Sequence, residues 1–234
     1  MNQQKYFLVT GCARSGTTIL SRIINLHPAI YCSIERLNPH LKFNTCSVTS
    51  KQFEIDSCLA GFAGEAKANL SEKIENAIFI GDKSTIAYRH FEELSNAISP
   101  SPFFIFIIRN IFDVASSFNV RSKRQDSKWR VELDYKIAVE EWNASLVNAI
   151  SAQDAGIPIH VVQYEHLFNK ITLENIFSYF HLTCTEELLA KINLLEERGK
   201  MIQHSRVQAL SGLEKKYILI NANIDAYKDL IGVI

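Results

Sequence analysis

The stretch that decides the fold is FLVTGCARSGTTILSRI, Phe7 to Ile23, in which an apolar run leads through a glycine-containing loop into a helical pattern. The apolar residues Tyr6–Val9 predict a buried strand, and Thr17–Leu26 predict a helix that ends before Pro28. A loop between a strand and a helix offers backbone N–H groups and the positive end of the helix dipole to an anion. The sequence therefore predicts a phosphate-binding turn after the first strand.

This loop departs from the usual nucleotide-binding pattern at one informative position. Gly11–Thr18, GCARSGTT, matches G-x-x-x-x-G-K-[ST] everywhere except that Thr17 replaces the lysine. In the usual loop the lysine contacts the β- and γ-phosphates, and the next hydroxyl holds magnesium. The replacement predicts a ligand without a γ-phosphate and without a metal. A cysteine phosphatase loop would need arginine at position 18, and a hydrolase elbow would need glycines at positions 13 and 17, so both are excluded.

Further apolar runs predict more buried strands, at Ala77–Ile80, Phe103–Ile108 and Ile159–Val162. Helical patterns lie between and after them, at Tyr88–Ile98, Ile111–Phe118 and Glu132–Ala155. This alternation predicts an α/β fold, a P-loop-NTPase-like three-layer sandwich with a central parallel sheet flanked by helices. Ligands of such sheets bind at the carboxyl ends of the strands, so the residues directly after each run are the candidate site residues.

Two regions carry less pattern, and we expect them to lie outside the sheet. Residues 38–70 are interpreted as a long substrate-side loop with some helix, and the residues after Glu196 as a helical extension. We expect a single domain over residues 1–234, with a core over about residues 5–182 and a helical C-terminal part over about residues 183–234.

The composition limits the class of protein and its partners. The formal net charge is zero, which argues against nucleic acid or an acidic membrane surface as the partner. The five cysteines are odd in number and include no Cys-x-x-Cys pair, which argues against a disulfide framework and a zinc site. No apolar run approaches the roughly 18 residues that a membrane span needs. We therefore expect a cytoplasmic protein without an integral membrane segment.

A second phosphate-binding motif follows the strand predicted at Phe103–Ile108. Arg109 stands at the end of that strand, and Ser117 lies about two turns into the helix that follows. The fork of an arginine side chain suits a terminal phosphate, and a serine hydroxyl adds another donor. The alternative interpretation is a surface ion pair between Arg109 and Asp113.

Together these motifs resemble the sulfotransferases that use 3′-phosphoadenosine 5′-phosphosulfate (PAPS). The sequence RSGTT at residues 14–18, then His27-Pro28, then Glu35, is similar to their 5′-phosphosulfate loop. Arg-Ser-Gly-Thr-Thr is typical of the tyrosylprotein and glycan enzymes, whereas the cytosolic aryl enzymes carry Lys-Ser-Gly-Thr-Thr. The resemblance covers about Phe7 to Tyr179, and it implies a cofactor that has no γ-phosphate and needs no metal.

The resemblance also implies roles for individual residues. The 5′-phosphosulfate would be held by the loop residues Ala13, Arg14, Ser15, Gly16, Thr17 and Thr18. Arg109 and Ser117 would hold the 3′-phosphate. Glu35 would be the general base for an acceptor hydroxyl, which is a poor nucleophile until its proton is removed. Arg14 and Lys83 would offset the charge on the sulfuryl oxygens.

Each catalytic assignment has an alternative. Glu35 could be a surface residue paired with Arg36, with His27 and His40 as rival bases. Lys83 could be a solvated lysine beside a metal-binding Asp82. Tyr164 and Glu165 are interpreted as structural. A basic run could add cofactor contacts, and it consists of Arg121, Lys123, Arg124, Lys128 and Arg130 with Trp129. Lys200 or Arg206, later in the chain, could also contact the cofactor.

The sequence thus favours a PAPS-dependent sulfotransferase that releases adenosine 3′,5′-bisphosphate. The acceptor would be a hydroxyl of a small molecule, a glycan, a lipid or a peptide tyrosine. Two other functions stay open at this point. One is a small-molecule kinase with a degenerate loop, in which Asp82 holds magnesium. The other is a module that binds adenosine bisphosphates without catalysis.

Overall fold

The computed structural model describes residues 4–42, 44–60, 62–123, 132–203 and 210–232. Its main sheet has five strands in the order β2-β5-β1-β6-β7, and every neighbouring pair in it is parallel. A short antiparallel hairpin forms a second sheet. The strands are β1 Lys5–Thr10, β2 Ile30–Ile34, β3 Leu41–Lys42, β4 Thr45–Cys46, β5 Phe79–Lys83, β6 Phe103–Ile108 and β7 Ile159–Gln163.

Helices connect the strands and extend the chain beyond the last of them. Those of the described residues are α1 Thr17–Ile24, α2 Ile55–Leu59, α3 Gly64–Asn76, α4 Phe91–Ala97, α5 Ile111–Ser122, α6 Tyr135–Asp154, α7 Lys170–Tyr179, α8 Glu186–Gln203, α9 Gly212–Asn221 and α10 Ile224–Ile231. None of the helices in these ranges has both the length and the apolar character needed to cross a bilayer.

Both faces of the main sheet are covered, which explains why its strands read as continuous apolar runs. Phe7 and Val9 on one face of β1 are fully buried in a cluster with residues of α1, α7 and α8. Leu8, on the opposite face, is buried in a second cluster with residues of α4, α5 and α6. The three-layer α/β sandwich predicted from the sequence is therefore confirmed.

The four strands predicted for the sheet are all present, and one strand was missed. The missed strand, β2 at Ile30–Ile34, lies at the edge of the sheet and pairs only with β5 in the described structure. Its last residues are polar or exposed, so it lacks the continuous apolar signal of a central strand. The region that follows was expected to be a loop with some helix, and it contains the β3–β4 hairpin, α2 and α3.

Candidate active site

The candidate site residues lie at one end of the strands of the main sheet, which we call the cleft edge. Because the strands are all parallel, their carboxyl ends all lie at this end. The loop 11–16 follows β1, Lys83 ends β5, and Glu35, Arg109 and Tyr164 directly follow β2, β6 and β7. Residues that are far apart in the sequence are therefore brought to a single cleft edge by the pairing of the strands.

Two glycines allow the loop after β1 to lie close against its neighbours. Gly11 has a φ of 146°, and a Cβ atom there would lie 2.3 Å from the carbonyl oxygen of Ile107. Gly16 has a φ of 98°, and its Cβ atom would lie 2.3 Å from the Tyr164 ring. A side chain at either position would clash and would also be strained in this backbone conformation. The glycine spacing read from the sequence thus has a steric basis.

The first turn of α1 is arranged to receive an anion. Gly16 is the N-cap residue and provides no side-chain cap, and the first turn carries no acidic residue. The Ser15 hydroxyl is fully buried and has no hydrogen-bond partner in the described structure. A buried polar group without a partner is costly, so it marks a place where a ligand oxygen would be favourable. A 5′-phosphate fits the donors present here.

Arg109 is held in place at the end of β6. Its guanidinium lies over the Tyr164 ring, with Cζ 4.2 Å from the ring centroid, and its carbonyl oxygen accepts a 2.9 Å hydrogen bond from Trp142 Nε1. One terminal nitrogen donates to Asp113 at a long 3.4 Å, which is the ion pair of the alternative interpretation. The buried Nε has no acceptor among the described groups. The ion pair therefore does not satisfy the whole guanidinium, which retains donor capacity for a phosphate.

Arg14 connects the loop to α5. Its Nε donates a 2.8 Å hydrogen bond to the Ser117 hydroxyl, and its carbonyl oxygen accepts from Arg109 at 3.4 Å. Arg14 itself has a left-handed backbone with a φ of 71°. The structure thus brings Arg14, Arg109 and Ser117 together, so the two sequence motifs form one cationic cluster. The specific assignment of Arg14 to the sulfuryl group stays a prediction.

Glu35 and Lys83 form a close pair on the other side of the loop. Lys83 Nζ lies 2.6 Å from Glu35 Oε1, and the backbone N–H of Glu35 donates to the Lys83 carbonyl oxygen at 2.7 Å. The lysine side chain is 2% exposed and the glutamate side chain 47% exposed. Glu35 is therefore paired with Lys83 rather than with its neighbour Arg36. A buried cation beneath a half-exposed carboxylate is a suitable arrangement for a base that meets a substrate.

Asp82 does not have the surroundings of a metal ligand. Its carboxylate is fully buried and accepts hydrogen bonds from the Ser33 hydroxyl at 2.6 Å and from the backbone N–H groups of Arg36 and Leu37 at 3.2 and 3.1 Å. Burial raises the pKa of this carboxyl group, while these hydrogen bonds act in the opposite direction. Both oxygens are already used by the protein, which weighs against the magnesium site of a kinase.

The rival bases are placed less suitably than Glu35. His27 follows α1, which runs from the cleft edge toward the opposite edge of the sheet, and its Nδ1 accepts from the backbone N–H of Ala29. Burial lowers its pKa. His40 lies in a 3₁₀ turn beyond Glu35. Of the basic run, Arg121 and Lys123 are described. Arg124, Lys128, Trp129, Arg130, Arg206 and the Lys200 side chain lie outside the described residues.

Tyr164 packs directly against two residues of the site. It was interpreted as structural, and its ring lies against Gly16 and beneath the Arg109 guanidinium. The adjacent Glu165 accepts a 2.8 Å hydrogen bond from the Asn110 backbone and so fixes the turn between β6 and α5. The available signal was its position directly after the last strand, where ligand-binding residues are common.

Comparisons with known proteins identify the family and the fold. The model of the sulfotransferase family matches residues 7–187, well over half of the chain. No curated protein sequence matches. Similar solved structures include the sulfotransferase domain of the Synechococcus PCC 7002 olefin synthase, at 20% identity and a TM-score of 0.55, covering 80% of this chain and 76% of that one.

Two further structures show the same fold. The sulfotransferase domain of the curacin biosynthetic pathway has 16% identity and a TM-score of 0.56, with 81% and 78% of the two chains covered. A sulfotransferase from Mycobacterium avium has 13% identity and a TM-score of 0.51, with 98% and 75% covered. The fold, the loop after β1 and the family match lead to one conclusion: this chain belongs to the sulfotransferase family.

Proposed function

We propose that this protein transfers the sulfuryl group of PAPS to a hydroxyl acceptor, with Glu35 as the general base. The observation that carries the proposal is the place of the Glu35–Lys83 pair beside the loop that follows β1. Lys83 is paired in register with Val9, two residues before Gly11, and Ser84 N donates to Val9 O at 3.0 Å. The base candidate and the phosphate loop are thus adjacent through direct strand pairing.

The cofactor would be bound at its two phosphate ends. Backbone N–H groups of residues 13–18, with the Ser15, Thr17 and Thr18 hydroxyls, would hold the 5′-phosphosulfate. Arg109 and Ser117 would hold the 3′-phosphate, and the unused donor capacity of Arg109 supports this assignment. The hydrogen bond from Arg14 to Ser117 supports a position of Arg14 between these two ends. The RSGTT sequence supports kinship with the tyrosylprotein and glycan enzymes within the family.

PAPS supplies a sulfuryl group activated by its link to a phosphate. The acceptor hydroxyl attacks sulfur in line, so a new S–O bond forms while the bond from sulfur to the 5′-phosphate oxygen breaks. The hydroxyl proton passes to the Glu35 carboxylate, which is exposed enough to meet an acceptor. Lys83 and Arg14 offset charge on the sulfuryl oxygens as the bond breaks. The products are a sulfate ester and adenosine 3′,5′-bisphosphate, and no step calls for a metal.

The test combines a binding comparison with a transfer assay. Calorimetry should show that adenosine 3′,5′-bisphosphate binds without magnesium and more tightly than AMP, which lacks the 3′-phosphate. Incubation with labelled PAPS and a panel of phenol, sugar, lipid and tyrosine-peptide acceptors should label at least one of them. Magnesium-dependent ATP binding without bisphosphate binding would instead indicate a kinase. Bisphosphate binding with no transfer to any acceptor would indicate a non-catalytic module.

A further inference from the structure

The backbone at Glu35 adopts a conformation that side chains rarely take. Its φ is 57°, one of three positive values at described non-glycine residues. A left-handed residue of this kind is unfavourable for an L-amino acid, and it persists only where the surrounding structure holds it. The group that holds this turn therefore determines where the Glu35 carboxylate lies.

Acceptors on β5 hold the turn at Glu35 and at the two residues that follow it. The Lys83 carbonyl oxygen accepts from the N–H of Glu35 itself. The Asp82 carboxylate accepts from the two following N–H groups, with Oδ1 taking Arg36 and Oδ2 taking Leu37. Since successive side chains of a strand point to opposite faces, Asp82 lies on the face away from the Lys83 ammonium. Asp82 therefore accepts hydrogen bonds from the turn and makes no hydrogen bond to the Glu35 carboxylate or the Lys83 ammonium in the described structure.

We propose that Asp82 is a positioning residue for the transfer reaction. By accepting hydrogen bonds from the turn at Glu35, it keeps the Glu35 carboxylate in contact with the Lys83 ammonium. This inference rests on the proposed function, in which Glu35 is the base. Asp82 thereby acquires a role in the reaction other than the metal ligation considered for a kinase.

The contacts favour this role over general support of the core. Ordinary packing at this position could be supplied by an apolar side chain, since Ile80, on the same face of β5, belongs to the buried cluster around Leu8. A buried carboxylate is instead costly, and it is tolerated here because three donors converge on it. Two of those donors are the backbone groups directly after the base candidate. The buried Asp82 carboxylate thus lies where the backbone N–H groups of the turn need an acceptor.

The decisive variant is Asp82→Asn, which keeps the shape and removes one acceptor. Its amide oxygen can still accept from Ser33 and Arg36, but its NH₂ group faces the Leu37 N–H, where two donors meet. We expect kcat to fall about 10- to 100-fold, because small displacements of a catalytic group have effects of that size. The Kd for adenosine 3′,5′-bisphosphate and the KM for PAPS should stay within about twofold, since the loop is unchanged. Activity is normalised to bisphosphate-binding molecules, so that unfolded protein is not counted.

The matched control is Ser33→Ala. It removes one hydrogen bond from Asp82 and leaves both bonds to the turn. This variant should melt at a lower temperature but retain kcat within about twofold. Equal kcat losses in Ser33→Ala and Asp82→Asn would overturn the proposal, because they would indicate that general loss of stability controls the rate.

A double-mutant cycle then tests whether Asp82 acts through Glu35. If it does, Asp82→Asn should cause little further loss of kcat in a Glu35→Gln background. A full additional 10- to 100-fold loss in that background would contradict the role. If Asp82→Asn does not bind bisphosphate, Asp82→Ser takes its place, and failure of both to bind would also reject a role confined to the turn. Failure of the proposed function would be distinct, since wild-type protein would then transfer no sulfuryl group.

Discussion

The two sides of the cleft edge are built in different ways. The cofactor side consists of the loop 11–18 and the Arg109–Ser117 motif, each contiguous or nearly so in the sequence. The base side joins Glu35 and Lys83, which are 48 positions apart and meet only because β2 pairs with β5. The cofactor side combines two local motifs, whereas the base side consists of single residues that meet only through sheet assembly.

This difference separates binding from chemistry. In the proposed function the donors of the cofactor side bind phosphate oxygens, so changes there should alter affinity. The base side presents one half-exposed carboxylate on a buried ammonium, so changes there should alter the rate of transfer while leaving affinity nearly unchanged. Each variant below tests whether that division is real, beginning with the largest expected effect.

Glu35→Gln should produce the largest loss. The amide keeps the size of the side chain but cannot take up the proton of the substrate hydroxyl, so kcat should fall by about 100- to 10,000-fold. The Kd for adenosine 3′,5′-bisphosphate should remain within about twofold, as measured by calorimetry. Glu72→Gln, an exposed change on α3, is the matched control and should behave as wild type. Unchanged turnover in Glu35→Gln would remove this residue from the mechanism.

Lys83→Met should follow with a kcat loss of about 100- to 1,000-fold, the usual effect of removing one well-placed charged donor. Methionine fills the nearly closed space of the lysine stem, so the fold should be retained. The variant removes both the cation proposed to act on the sulfuryl group and the ion-pair partner of Glu35. Lys216→Met, at an exposed position on α9, is the control for the loss of a lysine. A loss of bisphosphate affinity larger than the loss of kcat would place Lys83 on the cofactor side instead.

The same difference explains how much the sequence could predict. The loop after β1 was recognisable because its glycines and hydroxyls are consecutive, and the structure gives the glycines steric reasons in Ile107 and Tyr164. The central strands were recognisable because burial on both faces makes them continuously apolar. These features are set by local chemistry, which a sequence displays directly.

The missed features depend on contacts that are distant in the sequence. Strand β2 is at the edge of the sheet and ends in polar residues, so its pattern resembled a loop. The contacts of Asp82 and Tyr164 are with backbone groups that come close only after folding. A residue type alone does not display such partners. For the same reason the sequence suggested the Glu35 role only through resemblance to a family.

Arg109→Ala should have an intermediate effect, and it should appear in affinity. Loss of a charge-assisted hydrogen bond costs about 1.5–3 kcal/mol, so the bisphosphate Kd should rise about 10- to 100-fold. The preference for adenosine 3′,5′-bisphosphate over AMP should largely disappear in the same calorimetric comparison. Arg109→Lys should recover only part of it, because an ammonium lacks the planar fork.

Asp113→Ala separates this role from the surface ion pair. It removes the 3.4 Å contact to Arg109 and leaves the stacking on Tyr164. We expect the bisphosphate Kd to change by no more than about threefold, since exposed pairs contribute little. If the two variants weakened binding equally, the ion pair rather than a phosphate contact would explain Arg109.

The smallest expected effect is a pH dependence of stability that originates in Asp82, the residue before Lys83 on the base side. Burial raises the pKa of Asp82 above its ordinary value of 3.8, so the folded state holds this proton more readily than the unfolded state does. The neutral carboxyl group therefore favours folding at low pH, and that stability is lost as pH rises through the folded pKa.

Asp82→Asn carries no such proton. Its melting temperature should lie below that of wild type throughout, with a gap that narrows as pH rises from about 4 toward neutrality. Melting curves of the two proteins at matched pH measure this gap directly, and other carboxylates cancel in the difference. A gap that widened over this range would mean that the hydrogen bonds from Ser33 and the turn outweigh burial, and that the carboxylate is held as a stabilising charge.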